Sequence, residues 1–225
     1  MADMPESRRV IAYVDGFNLY FGLREKGWRR YYWLNVKALV QSLLKPDQVL
    51  VYTKYFTARI SGARPGDAPE MAEKREAKRQ RQCNFLDALG TLSDFRIYEG
   101  HYLAKTVQCF HCNRFWEKPE EKMTDVQIAT ELLTDAFEDR FDTALLISGD
   151  SDLVPPIRSI RRLFINKEVI VVFPPERTSE RLRRHASASF IVGKANLRKS
   201  QFPEKVTLPD GFVLHRPARW RQRTA

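Results

Sequence analysis

The sequence predicts an α/β protein with a mainly parallel central sheet. Short apolar runs alternate along the chain with stretches in which apolar residues recur at helical spacing. The clearest case is residues 143–153, TALLISGDSDL, where an apolar run at 144–147 enters a polar turn that contains Gly149. After this turn, apolar residues recur at the spacing of a helix face: Leu153, Ile157, Ile160, Leu163 and Phe164. A buried strand that leads into an amphipathic crossover helix is the repeating unit of a parallel sheet.

The composition is that of a globular domain. A chain of 225 residues with 43% hydrophobic residues can bury a core, either as one domain or as a domain with an appendage. No apolar run approaches membrane-spanning length, and the first ten residues, MADMPESRRV, lack the apolar region of a signal peptide. We therefore expect a soluble, cytoplasmic protein that does not enter a membrane. Three cysteines, an odd number, argue against a disulfide framework.

The net charge favours an anionic partner. Lys and Arg number 38 against 28 Asp and Glu, which gives a formal charge of +10. Such a charge is compatible with binding to nucleic acid first and to an anionic membrane surface second. Many basic proteins bind no polyanion, so the placement of the charges has to decide.

The first predicted strand covers residues 10–14 and ends at a carboxylate, Asp15. A helix over 18–25 follows, for which Asn18 is a suitable N-cap. Next come a helix over 34–44, whose apolar residues share one face, and a strand over 49–56. Asp15 is of interest because ligands of open α/β sheets bind at the carboxyl ends of the strands.

A flexible loop is predicted at residues 61–69, which contain two Gly and two Pro. A long, charged helix over 70–89 follows, and then a strand over 95–103. The middle of the helix carries a basic cluster of Lys74, Arg75, Lys78, Arg79 and Arg81. Such a cluster is either a solvated helix face or a contact surface for RNA phosphates.

Two cysteines lie in a predicted hairpin insertion at about residues 105–118. Cys109 and Cys112 have the spacing of half a zinc site, in which one turn presents two thiolates to the ion. Only His101, His111 and the distant Cys83 could complete the four ligands. Three interpretations stay open: a partial or vestigial Zn²⁺ hairpin, plain loop cysteines, or a redox pair. A partial site could be completed across a homodimer.

The clearest helix covers residues 124–137. Thr124 and Gln127 have the spacing of a capping box, and Ala129, Leu132, Leu133 and Ala136 form an apolar stripe. Asp125 lies in the first turn, where the helix dipole favours an acid. A carboxylate directed at the edge of a core is costly without a charged partner, and a metal ion would be such a partner.

The remaining elements continue the α/β alternation. We predict a strand over 169–173, closed by Pro174 and Pro175, a short helix over 179–185, and an edge strand over 189–192. The segment 193–225 is basic and contains scattered prolines. We expect it to be an extended tail that packs on the domain and frays at its end.

Aspartates at several element ends suggest a cation site. Asp15, Asp125, Asp150 and Asp152 follow strands or begin helices, and in a parallel sheet such positions can meet at one edge. Mg²⁺ and Mn²⁺ prefer oxygen ligands. A metal-bound water with a lowered pKa, next to basic surface, is what phosphodiester hydrolysis needs.

Three motifs stand out along the chain: YVDGFNLY at 13–20, EKMTDVQIATELL at 121–133 and LLISGDSDLVPPI at 145–157. Together, and in this order, they resemble the NYN domain family, which belongs to the PIN-like ribonuclease superfamily. The resemblance covers roughly residues 9–192, and the CxxC before the second motif also resembles that of many bacterial members. The segment 193–225 lies outside it.

The resemblance implies a three-layer α/β/α, Rossmann-like fold with metal-dependent ribonuclease activity. Matched residue by residue, Asp15, Asp125, Asp150 and Asp152 would hold Mg²⁺ or Mn²⁺, Asn18 would orient a ligand, water or phosphate, and Ser148 would hydrogen-bond a carboxylate or phosphate. Phosphate contacts would come from the basic cluster and from Arg158, Arg161 and Arg162 on the helix after Asp152.

Two other functions remain open. One is an RNA-binding or regulatory module without turnover. The other is an NADH-dependent hydroxylase of a pyridine ring, because some NYN-type sequences resemble proteins assigned that activity in nicotine breakdown. The sequence has neither a GxGxxG fingerprint nor an obvious flavin motif, which ranks the hydroxylase below the nuclease.

Overall fold

The computed structural model describes residues 7–108 and 110–221, with the side chains of all of these except residues 103–105 and 116–121, and this part is called the described chain. Its main feature is a seven-stranded sheet of order β4-β3-β2-β1-β5-β6-β7. Six of these strands are parallel, and β4 pairs antiparallel with β3 at one edge. The strands are β1 Arg8–Asp15, β2 Gln48–Ala58, β3 Phe95–Gln108, β4 Phe115–Lys122, β5 Thr143–Ile147, β6 Glu168–Phe173 and β7 Ala188–Ile191. The α/β prediction with a mainly parallel sheet is confirmed.

Helices cover both faces of the sheet. They are α1 Gly16–Glu25, α2 Val36–Gln41, α3 Pro69–Gly90, α4 Thr124–Phe137, α5 Val154–Leu163, α6 Glu180–His185 and α7 Lys194–Lys199. Side chains of β1 alternate between the two faces, with Val10, Ala12 and Val14 packing on the side of α1, α2 and α3. Ile11 and Tyr13 pack on the side of α4, α5 and α6. The fold therefore has the three layers that the resemblance implied.

The centre of the sheet contains a topological switch point. β1 pairs with β2 on one side and with β5 on the other, and Val14 is the partner of Ile147. Ligands of open α/β sheets bind at such a point, beyond the carboxyl ends of the two strands. Asp15 and Ser148 are the residues found there.

Two predicted helix caps are wrong. Asp15, not Asn18, caps α1, because α1 already begins at Gly16 and the Asn18 backbone N–H donates to Asp15 Oδ1 at 2.9 Å. Met123, with a φ of 80°, precedes α4, so Thr124 is inside the helix and the capping box does not form. The Thr124 hydroxyl is buried beside Gly100 and has no hydrogen-bond partner within the described chain.

The hairpin insertion forms as β3 and β4, which pair from His101–Lys122 to Gln108–Phe115. β3 is thus five residues longer than its predicted end at 103 because it continues past the parallel sheet into this hairpin. Cys112 is exposed and its thiol is free, whereas Cys109 lies outside the described residues. The zinc site at these cysteines stays a prediction.

The C-terminal segment packs on the domain, but over residues 193–221 it is not extended, contrary to the prediction. The predicted fraying concerns residues 222–225, which lie outside the described residues. The segment forms α7, a two-stranded hairpin of β8 Lys205–Thr207 and β9 Val213–His215, and a 3-10 turn at Ala218–Trp220. Its scattered apolar residues are the reason, because Leu197, Phe202, Val206, Leu214 and Trp220 are all buried in the core beside α1, α2 and α3. The Trp33 indole N–H also donates to the Pro203 carbonyl at 2.7 Å.

None of the helices within residues 7–108 and 110–221 is both long enough and apolar enough to cross a bilayer.

Candidate active site

The site is built on Asp15, the last residue of β1. The side chain is only 2% exposed. Asp15 Oδ2 accepts hydrogen bonds from Asn18 Nδ2 at 2.6 Å and from Ser148 Oγ at 2.8 Å, and Oδ1 accepts the Asn18 backbone bond. At least three donors therefore surround one buried carboxylate, which stabilises its negative charge. Burial, and after it the charge of Asp15, raises the pKa of the neighbouring Tyr55 above its ordinary range.

Two side chains connect the ends of β1 and β5. Ser148 Oγ donates to Asp15 and accepts from the Asp150 backbone N–H at 3.0 Å. Asn18 donates to Asp15, and its Oδ1 accepts from the Gly149 backbone N–H at 3.2 Å. Ser148 therefore holds the Asp15 carboxylate and the start of the turn after β5 at the same time. We call Asp15, Asn18, Ser148, Gly149 and Asp150 the rim site.

Close backbone approach explains the glycines of the two motifs. A Cβ at Gly16 would lie 2.6 Å from the Tyr55 ring and 2.8 Å from the Phe56 carbonyl oxygen. A Cβ at Gly149 would lie 2.6 Å from the carbonyl oxygen of Arg177. Both distances are too short for a real Cβ, so the residues on either side of the rim site pack together only because glycine stands at both positions.

Asp150 lies at a solvent-open cavity of about 450 Å³, which we call the rim cavity. Its Oδ1 accepts from the Asp152 backbone N–H at 2.9 Å and so caps the 3-10 turn Ser151–Leu153. The Asp150 side chain is half-buried, whereas that of Asp152 is exposed. Of the two acids, Asp150 is therefore the one that the turn holds in place at the cavity.

Sequence reasoning missed the loop after β6. This loop lines the rim cavity with Glu176, Arg177 and Thr178, opposite Asn18 and Asp150. Arg177 pairs with Glu25 of α1 and lies 5.7 Å from the Phe21 ring centroid. The rule that identified Asp15 and Asp150 would have identified this loop, because it too follows the carboxyl end of a parallel strand.

Of the four predicted aspartates, only Asp15 and Asp150 belong to the rim site. Asp125 is half-buried in the first turn of α4, whose start lies against Gly100 of β3. Among residues 7–108 and 110–221, no three acidic, histidine or cysteine side chains form a group able to hold a metal ion. Asp150 lines the rim cavity, and its carboxylate is the kind of ligand preferred by Mg²⁺, which takes one or two protein carboxylates and fills its other positions with water and phosphate oxygens. Both oxygens of the buried Asp15 already accept hydrogen bonds.

Most of the predicted phosphate contacts lie away from the rim cavity. On α3, Lys74 pairs with Glu70, Arg75 with Asp67 and Arg79 with Glu76, so their charges are offset locally. Lys78 lines a different cavity, described below. On α5, Arg158, Arg161 and Arg162 are exposed, and Arg161 donates to the His185 carbonyl.

A second polar cluster is buried under α4. Lys54 of β2 contacts Asp135 at 2.5 Å and Glu131 at 2.6 Å, and the Tyr13 hydroxyl donates to Asp135. Burial, followed by the charge of Asp135, raises the pKa of Tyr13 well above its ordinary value. Burial alone would raise the pKa of Glu131, but its bonds to Lys54 and Tyr98 outweigh burial and lower it.

Comparisons with known proteins identify a family, a curated relative and a solved structure with a similar fold. The chain matches the NYN domain over residues 9–196. It is 29% identical over 190 aligned positions to the 6-hydroxy-3-succinoylpyridine 3-monooxygenase HspA of Pseudomonas putida (strain DSM 28022 / S16). That alignment covers 69% of this chain and 56% of the relative, so the chain spans about half the length of this curated relative.

A solved structure has the same fold. It is the crystal structure of a protein of unknown function from Vibrio parahaemolyticus RIMD 2210633, with a TM-score of 0.51 and 19% identity, and the match covers 85% of this chain and 97% of that one. At this identity the likeness concerns the fold alone.

Proposed function

Because the chain belongs to the NYN domain family, we propose that it is a metal-dependent endoribonuclease that hydrolyses RNA phosphodiester bonds. The observation that carries the proposal is the rim site. Asp15 and Asp150 follow neighbouring parallel strands at the switch point, and Ser148 links them through two hydrogen bonds. Fixed carboxylates at such a point are suited to holding a hard cation beside a substrate.

The residues of the rim site have separate roles in this proposal. Asp15 supplies a fixed negative charge at the floor of the site, and Asn18 and Ser148 hold its orientation. Asp150 presents its half-buried carboxylate to the rim cavity, and Asp150 and Asp15 are the residues that would hold a cation. We assign no ligand role to Asp125, at the start of α4, or to the exposed Asp152. A bound Mg²⁺ or Mn²⁺ lowers the pKa of a water and offsets charge on the scissile phosphate.

Arg177 is our candidate for the phosphate contact nearest the reaction. Its guanidinium lies at the rim cavity, and Glu25 is its ion-pair partner. A planar guanidinium can bind two phosphate oxygens at once, and its present partner is a half-exposed carboxylate that a phosphate can replace. Arg158, Arg161 and Arg162 would contact phosphates farther along the strand.

The test compares the protein with its Asp150→Asn variant on mixed single-stranded and structured RNA in Mn²⁺, Mg²⁺ or EDTA. We expect cleavage that requires both the metal and Asp150, with RNA binding retained or tightened because a negative charge is lost. Asp87→Asn is the matched control, since it removes an exposed carboxylate from α3. Equal cleavage by the Asp150→Asn protein would overturn the assignment. Bound but uncleaved RNA under every metal would instead indicate a non-catalytic RNA-binding module.

The curated relative favours a second candidate function. Its name describes oxygenation of 6-hydroxy-3-succinoylpyridine, and 29% identity makes a related activity in this chain worth testing. The assay follows NADH absorbance and O₂ consumption when that pyridine is added. Pyridine-dependent loss of both, together with no RNA cleavage, would replace the nuclease by a hydroxylase.

A further inference from the structure

A second cavity, of about 380 Å³, shares helix α1 as a wall with the rim cavity. Its walls come from α1, α3, the segment around Tyr32 and the 3-10 turn that contains Arg219 and Trp220. We call it the aromatic cavity because aromatic rings make up much of its lining, among them Tyr20, Tyr32 and Phe85. Its volume is in the range of small-ligand sites, which begin at about 300 Å³.

The charged groups at the aromatic cavity are all cationic. Arg24, Arg29, Lys78, Arg81 and Arg219 line it, and no carboxylate does so within the described chain. Lys78, Arg81 and Arg219 also have no ion-pair partner among residues 7–108 and 110–221. Partial burial, and then the charges of Arg24 and Arg81, lower the pKa of Lys78. Like charges gathered in this way repel one another until an anion binds among them.

An unpartnered hydroxyl marks the interior of the same cavity. Tyr32 is 8% exposed, and its Oη makes no hydrogen bond of good geometry with any described residue, although the Tyr20 ring lies 5.0 Å away. Burial, and then Tyr20, raises the pKa of Tyr32 to about 12, so the phenol keeps its proton at neutral pH. A buried donor without an acceptor costs free energy that a ligand acceptor would restore.

We propose that the aromatic cavity binds one nucleotide of an RNA strand, with the base against the aromatic rings and the phosphate against Lys78, Arg81 and Arg219. The identification of the ligand as part of an RNA strand rests on the proposed ribonuclease function. Stacking on aromatic rings accepts any base, while cations bind the backbone, as in other single-strand sites. The Tyr32 hydroxyl donates to the bound nucleotide.

α1 places this nucleotide next to the reaction. Phe17, Tyr20 and Arg24 of this helix line the aromatic cavity, and Asn18 and Glu25 line the rim cavity. α1 thus contributes side chains to both cavities. The aromatic cavity would hold a nucleotide a short distance from the scissile phosphate and so favour single-stranded over paired substrate.

Arg219 and Trp220 lie beyond residues 9–196, the part of the chain that matches the NYN domain. The C-terminal segment therefore completes the aromatic cavity. It is fixed there by Arg216, which donates to the carbonyl of Arg30 and, at 3.0 Å, to that of Trp220.

The test measures binding in EDTA, with the Asp150→Asn protein, so that the RNA stays intact. The probe is a short fluorescein-labelled oligouridylate followed by anisotropy, with UMP, AMP and pyridine-3-carboxylate as competitors. We expect Arg81→Gln to weaken oligonucleotide binding by about tenfold or more. Arg198→Gln, which removes an exposed charge from α7, should leave binding unchanged.

Tyr32→Phe separates a binding role from a structural one. The variant removes a hydroxyl whose only neighbouring partner among the described residues is Tyr20, at poor hydrogen-bond geometry, so we expect an unfolding temperature close to that of the parent but binding weakened by about threefold to tenfold. Unchanged oligonucleotide affinity in both Arg81→Gln and Tyr32→Phe would overturn the inference. Displacement by pyridine-3-carboxylate but not by UMP or AMP would overturn it as well.

The outcomes also separate this inference from the proposed function. Loss of affinity in the Arg81→Gln and Tyr32→Phe proteins supports the nucleotide site even if the parent protein cleaves nothing. Metal-dependent cleavage that needs Asp150, with no effect of these two variants on binding, supports the nuclease and removes the nucleotide site.

Discussion

Substitution of Lys54 by methionine should destabilise the fold strongly. Lys54 is 4% exposed and lies between Asp135, which is fully buried, and Glu131. The substitution would leave Asp135 with the Tyr13 hydroxyl at 2.5 Å and one weak contact to Arg140 at 3.5 Å. Breaking a buried ion pair from one side costs about 3–5 kcal/mol, since an uncompensated charge remains. For a chain of this length, that loss lowers the melting temperature by roughly 6–20 °C.

Urea unfolding followed by circular dichroism measures the effect, with Lys74→Met as the matched control. Lys74 pairs with Glu70 four residues away, and both side chains are largely exposed. The same substitution there should cost less than about 0.5 kcal/mol. A double variant, Lys54→Met with Asp135→Leu, should be more stable than Lys54→Met alone because no isolated charge stays buried.

Two results would contradict this reasoning. One is a Lys54→Met protein whose unfolding midpoint lies as close to the parent as that of Lys74→Met. The other is strict additivity in the double variant, which would mean that Lys54 and Asp135 contribute independently despite their contact.

Three further predictions concern the rim site and the ion pair at the beginning of β1 and β5. Gly149→Ala should lower the stability of the fold by about 1–3 kcal/mol in thermal unfolding, because the added Cβ would lie 2.6 Å from the Arg177 carbonyl oxygen. The control Gly90→Ala should show no such loss, because a Cβ at Gly90 meets open space. Ser148→Ala should lower the free energy of unfolding in urea by about 2–3 kcal/mol, because the Asp15 carboxylate and the Asp150 backbone N–H each lose a hydrogen-bond partner. A change near zero would mean that water replaces the hydroxyl. In the folded protein the pKa of Asp142 is lowered, and the main cause is the hydrogen bond that it accepts from the Arg9 side chain. The stability it contributes is present above the ordinary carboxyl pKa and is lost as pH falls through the folded value. Asp142→Asn should therefore destabilise the fold by about 1 kcal/mol at pH 7, which is measured as a lower melting temperature. Below about pH 4, the melting temperature of the variant should fall less steeply with decreasing pH than that of the parent protein. An equally steep fall in both proteins would contradict the link between the Asp142 pKa and stability.

The sequence predicts the elements whose causes are local. Helix α4 has the bounds 124–137 that its apolar spacing indicates. Asp15 and Asp150 occur where strand ends and polar turns place them, and the structure joins them through Ser148. These features follow from period and turn chemistry, which neighbouring residues determine.

Features that depend on distant residues were not predictable in the same way. The apolar stripe of α4 gives no indication that Asp135 is buried. This burial depends on an ion pair with Lys54, which lies on a strand 81 residues earlier in the chain. The C-terminal segment looks like a tail by composition, yet Trp220 packs with Tyr32 and Phe85. Local propensity cannot indicate which distant surface is available to cover such residues.

Helix α1 couples the two cavities on which the proposed function depends. Gly16 packs it against Tyr55 and the Phe56 carbonyl, and Gly22 packs it against Pro174 and Pro175. Glycine at both positions fixes the distance of the helix from the sheet and from the loop that carries Arg177. Because a packed helix moves as a rigid element, a change that displaces α1 from one cavity must also displace it from the other. A larger residue at Gly22 should therefore alter both Asn18 at the rim cavity and Tyr20 at the aromatic cavity, so that RNA binding in EDTA and metal-dependent cleavage decline together.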